Sequence, residues 1–153
     1  MSHFVTGLVA NSETLDAFAS KHRLHVSVPL SQGLSLLPLR DSDLDSFLAP
    51  PLTDYAAGFT YLSRQLTDVL VIASCSTSLV YFETEYFGGT GAQGAAAFIN
   101  GSLVFGPISA EIGPINEALA LLGAVVISPA HDEFESVGLH RYRSCDDWLE
   151  AFK

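Results

Sequence analysis

Glu83 and Glu85 are the residues whose type and spacing come nearest to chemistry. In the run LVYFETEYFGG, residues 79–89, Leu79, Tyr81, Glu83 and Glu85 alternate with Val80, Phe82, Thr84 and Tyr86, the period-two pattern of a strand. Two carboxylates at i and i+2 of a strand share a face, about 7 Å apart. Such a pair could divide acid and base roles, as two carboxylates do in glycoside hydrolysis. It could also ligate a divalent cation together with Asp132 and Glu133. On the solvated face of a half-exposed sheet it would instead form a charged surface with Tyr81 as an aromatic anchor beside it. Spacing alone leaves all three open.

The remaining motifs carry less. Gly89-Thr-Gly91-Ala-Gln-Gly94 spells the G-x-G-x-x-G of dinucleotide sites. That fingerprint needs a crossover helix after its last glycine, and only Ala95 to Ile99 precedes the next turn signal, Asn100-Gly101. A glycine-rich hairpin bend from Gly88 to Gly94, with Gln93 inside it, fits better, and a backbone anion nest there stays open. His131-Asp132-Glu133 are consecutive and cannot converge on one ion from regular structure. No H-E-x-x-H, Cys-x-x-Cys or G-x-S-x-G occurs. His22 and His25 fall at a helix end, where a charged histidine would satisfy carbonyls. Arg141 and Arg143, flanking Tyr142, are expected to pair with nearby acids or to hold an anionic group.

Charge excludes more than the motifs do. Seventeen Asp and Glu against seven Lys and Arg give a net −10, and no Lys or Arg lies between Arg64 and Arg141. Such a surface repels phosphates, so nucleic acid and anionic membrane are excluded as partners. A basic protein partner would be attracted at long range. The N-terminus has no basic region ahead of an apolar one, and no apolar run is long enough to span a bilayer. Cys75 and Cys145, far apart and without metal-ligand spacing, point to free thiols in a reducing cytoplasm.

The elements that must position these residues follow from the same patterns. A chain of 153 residues, 48% hydrophobic, is read as one domain over 1–153. His3 to Val9 is a strand; Asn11 or Ser12 caps a helix with Leu15, Phe18, Ala19 and His22 on one stripe; Leu34 to Leu39 is a second strand, together a β-α-β unit. A short helix follows over Asp41 to Leu48, capped by Asp41 or Ser42, and a longer one from about Phe59 to Ala73. After the Glu83 strand, Ala95 to Ile99 and Leu103 to Phe105 are joined by a type I′ turn at Asn100-Gly101. Pro114 opens a helix that Gly123 ends, Val125 to Ile127 is a further short strand, and Ser144 with Asp147 boxes the start of a terminal helix. The expected fold is α+β, a mostly antiparallel sheet with helices packed on one face.

Three stretches, YFETEYFGGTGAQGAAAF (81–98), GPINEALALLG (113–123) and DEFESVGLHRYRSCDDW (132–148), resemble a set found together in a family of small bacterial proteins without an assigned activity. In size, acidity and fold type the chain is also similar to immunity proteins that neutralise polymorphic toxins. The first resemblance carries no catalytic residues onto this chain. The second implies a non-catalytic cytoplasmic protein that inhibits a basic toxin. On that expectation the binding surface comprises Tyr81, Glu83 and Glu85, the bend residues Gly88, Gly89 and Gln93, and Asp132, Glu133, Arg141 and Arg143. No catalytic residue, metal or cofactor is assigned. The alternative is a small carboxylate- or metal-dependent hydrolase using Glu83 and Glu85. A third expectation is a small-molecule-binding or structural homodimer with Leu103 to Phe105 as its seam.

Overall fold

The alternation around Glu83 does produce a strand, and it lies within one sheet whose every strand pairing is antiparallel. The computed structural model describes residues 2–153. Its strands are β1 (Ser2–His3), β2 (Thr6–Ala10), β3 (Val28–Pro29), β4 (Ser35–Pro38), β5 (Ser78–Phe87), β6 (Thr90–Ile99) and β7 (Ser102–Ala110). The order is β3-β4-β2-β5-β6-β7, and β1 runs in line with β2 along the far end of β5. Between them Phe4 turns outward, its N–H bonding Arg143 O at 2.8 Å. The helices are α1 (Ser12–His22), α2 (Asp41–Phe47), α3 (Arg64–Ala73), α4 (Pro114–Leu121), α5 (Glu133–Val137) and α6 (Cys145–Ala151). The fold is a single α+β domain. Among the described residues no helix is long and apolar enough to cross a membrane.

Helices cover both faces of the sheet, not one. Tyr81 faces α1, α2 and α3 in a core with Leu8, Leu15, Phe18, Leu44, Leu66, Leu70 and Phe98. Val80 and Phe82 face the other way, against Ile115, Leu119, Val137 and Trp148 of α4, α5 and α6. The reason is in the strand itself. Val80, Tyr81 and Phe82 are consecutive and apolar, so period two sends large side chains to both faces and each needs cover. Burying each such side chain stabilises by about 1.5–3 kcal/mol.

Local signals set most boundaries. Asn11 Oδ1 accepts the Thr14 N–H at 2.8 Å to start α1, Ser144 Oγ accepts Asp147 N–H at 3.0 Å to start α6, and Pro114 opens α4. Asn100 (φ 51°) and Gly101 (φ 79°) make the expected two-residue turn. Other expectations are corrected. β2 and β4 are antiparallel neighbours, so α1 is no parallel crossover. Arg40, rather than Asp41 or Ser42, caps α2, with Asp43 Oδ2 accepting its N–H at 2.9 Å. The α3 helix begins only at Arg64, after Ser63 as cap. The glycine bend shrinks to Gly88-Gly89, since Phe87 already pairs with Thr90. Val125 to Ile127 is exposed coil without strand pairing among the described residues. The β7 edge shifts register twice against β6 and carries Pro107, which has no N–H to donate.

Candidate functional site

Glu83 and Glu85 share a face, and both reach Thr60. Their surroundings nonetheless differ. Glu83 is buried, 7% exposed. Its Oε1 accepts the Thr60 N–H at 2.7 Å, while Oε2 accepts the Tyr61 N–H at 3.0 Å and the Tyr81 hydroxyl at 2.6 Å. Three donors to one carboxylate are charge-assisted bonds that hold residues 60–61 in a bend ahead of α3. This is why α3 starts late, although Phe59 and Leu62 fall on its apolar stripe. Glu85 is exposed, with the Thr60 hydroxyl 3.5 Å from its Oε2. Tyr81, expected as a surface anchor, is wholly buried. Burial, then the charge and hydrogen bond of Glu83, hold its hydroxyl well above the usual tyrosine range.

Glycine makes this clamp possible. Gly94 pairs with Glu83 across the β5–β6 ladder, and the Phe59 ring lies over it, so that a Cβ there would meet Phe59 Cζ at 2.6 Å. Gly94 therefore serves ring packing beside Tyr81, whose ring centroid is 6.4 Å from that of Phe59.

In front of Glu83 opens a cleft of about 650 Å³. Glu85 and the exposed carboxylates Asp41 and Asp146 line it, together with Tyr61 and Cys145. The Tyr61 hydroxyl is pushed up to about 12 by its hydrogen bond to Asp41 and by burial. Arg40 also lines the cleft, and its Nε lies 3.1 Å from Asp43 Oδ2. That bond, opposed by burial, raises the arginine further. Cys145 Sγ contacts the carbonyls of Thr6 (3.3 Å) and Leu39 (3.6 Å); burial pushes its thiol up, which makes it a poor nucleophile. Cys75 and Cys145 are both free thiols.

On the opposite face of the same ladder lies a second cavity, of about 790 Å³. Gln93, Gly89, Asp132 and Arg143 from the expected site line it. Gln93 is buried: its Oε1 accepts the Ile115 N–H at 2.9 Å and its Nε2 donates to the Tyr86 hydroxyl at 3.1 Å, which itself donates to the Glu111 carbonyl. It thus caps the first turn of α4. Asp132 Oδ1 accepts the Glu135 N–H and caps α5, and Asn116 bonds both Asp132 and the Phe134 N–H.

Three expected site residues lie elsewhere. Gly88 forms the turn with Gly89, Glu133 begins α5, and Arg141 sits over the Trp148 ring at 5.4 Å, donating to the carbonyls of Gly138 and Pro29 rather than to acids. His22 is likewise no capping cation: its ring lies 4.5 Å from both Phe18 and Phe47, and its buried Nε2 has no hydrogen-bond partner among the described residues. Among the described residues, no three His, Cys, Asp or Glu side chains converge as a metal centre would require. Compared with known proteins, the chain matches no family model, no curated protein and no solved structure. Function must therefore be read from these two clefts.

Sequence patterns missed Asp41, Asp146, Glu111, Asn116, His3 and His140 as lining residues. They come from separate segments that only the sheet topology gathers, and no local spacing marks them.

Proposed function

We propose that this chain is a non-catalytic binding protein that captures a basic protein through the acidic cleft, in the manner of an immunity-type inhibitor. The observation that carries it is the grouping of exposed Asp41, Glu85 and Asp146 around a cleft whose cation, Arg40, is already bonded to Asp43. A net charge of −10 adds long-range attraction for Lys- and Arg-rich surfaces. Glu85, Asp41 and Asp146 meet the partner; Glu83 supports them from behind by fixing Thr60 and Tyr61. A hydrolase built on Glu83 and Glu85 would need Glu83 to exchange protons with a substrate. Both its oxygens are taken by three donors, and losing them would release the loop that walls the cleft.

The test is capture from bacterial lysate at low and moderate salt, comparing the native chain with a D41K/E85K/D146K variant. A Lys- and Arg-rich protein should be retained by the native chain, weaken with salt and be lost with the charge-reversed variant. Recovery of no basic protein at either salt, or recovery indifferent to the reversal, would overturn the proposal.

A further inference from the structure

The larger cavity on the opposite face differs in kind from the acidic cleft, and its ligand chemistry is independent of whatever the cleft captures. Its volume of about 790 Å³ is that of a small-molecule site. The polar groups of its floor are fastened to one another, Gln93 to Ile115 and Tyr86, Tyr86 to Glu111, and Asn116 to Asp132 and Phe134, so the cavity is formed before anything enters it.

Its lining carries charge of both signs. His3, His140 and Arg143 line one part, although the sequence holds only seven Lys and Arg and five His. They are close enough that Arg143 and His140 both disfavour a charge on His3, after burial, which is the main cause of its lowered pKa. Glu111 and Asp132 supply carboxylates to the same cavity, and Ile112 and the Phe134 ring add apolar surface. A net anion would enter against the repulsion of a −10 chain, and a net cation would face the Arg143 guanidinium. A molecule carrying one charge of each sign escapes both costs.

We infer that this cavity binds an apolar zwitterion of the amino-acid or short-peptide class, its carboxylate toward Arg143 and His140, its ammonium toward Asp132 and Glu111, and its side chain against Ile112 and Phe134. The volume exceeds what one amino acid fills, which favours the peptide.

The test is amide NMR of the native chain titrated with Leu-Leu, Phe-Leu and free phenylalanine, reading the signals of Gly89, Gly91, Gln93 and Asn116. The dipeptides should shift these signals at lower concentration than phenylalanine. N-acetylation or C-amidation should each weaken binding by about tenfold or more, the loss expected when one charge-assisted contact goes. In Arg143→Gln the penalty for amidation should disappear while that for acetylation remains, and Glu111→Gln should do the reverse in part; both side chains are outside the core, so folding is retained. Absence of shifts with all three probes overturns the inference. So does binding that ignores blocked termini, or tighter binding of the acetylated anion than of the zwitterion.

Discussion

One rung of the β5–β6 ladder separates two buried polar residues that do the same work by different means. On one face Glu83, opposite Gly94, holds the loop at Thr60 and Tyr61 with a carboxylate; on the other, Gln93, opposite Thr84, holds the first turn of α4 with a neutral amide. A charge suits the first because three donors converge on it, and an amide suits the second because one acceptor and one donor are required. Polar residues on a strand covered from both sides thus become clamps for the covering elements. Only the residues beyond the cover reach solvent, and the two clefts open there.

The comparison can be broken most sharply at Glu83. Glu83→Gln keeps the shape but turns an acceptor into a donor facing a backbone N–H, and should lower unfolding stability by about 2–3 kcal/mol in urea titration. Gln93→Ala leaves the Ile115 N–H without its acceptor, while the Tyr86 hydroxyl keeps its bond to the Glu111 carbonyl, and should cost less, about 1–2 kcal/mol. Equal losses would mean that charge adds nothing to the first clamp.

A smaller effect distinguishes the two halves by pH. Burial lowers the pKa of His22 on the α1 side and, as the main cause, that of His3 on the α4–α6 side, both from 6.5. Above 6.5 both are largely neutral, folded or unfolded, and the shifts contribute little. As pH falls below it the unfolded chain takes up protons first, so stability drops until the native histidines also protonate. Melting temperatures measured between about pH 7.5 and 5.5 should therefore fall. His22→Leu should flatten that fall without abolishing it, because His3 remains. The smallest effect belongs to Glu85→Gln, which should change stability by less than about 0.5 kcal/mol while weakening capture of the basic partner.

Much of the framework was legible in the sequence. The strand at Glu83, the Asn100-Gly101 hairpin and the capping residues Asn11, Pro114 and Ser144 each depend on neighbours a few residues away. What was not legible depends on distant contacts. Phe59 and Leu62 continue the apolar stripe of α3, yet a carboxylate more than twenty positions later keeps their backbone out of the helix. Gly91 and Gly94 have loop composition, yet they lie in β6, where the Phe59 ring occupies the space a side chain at 94 would need. The alternation placed Glu83 and Glu85 on one face correctly, but no pattern in the strand tells which of them the loop will cover.

Amide hydrogen exchange at Thr60 and Tyr61 tests that cover most directly. Thr60 is exposed as a residue, so its amide owes its protection to Glu83. In the native chain both amides should exchange slowly compared with other loop positions, and in Glu83→Gln they should accelerate by about tenfold or more. Fast exchange in the native chain, or unchanged protection in the variant, would contradict the assignment of Glu83 as a buried clamp behind the acidic cleft.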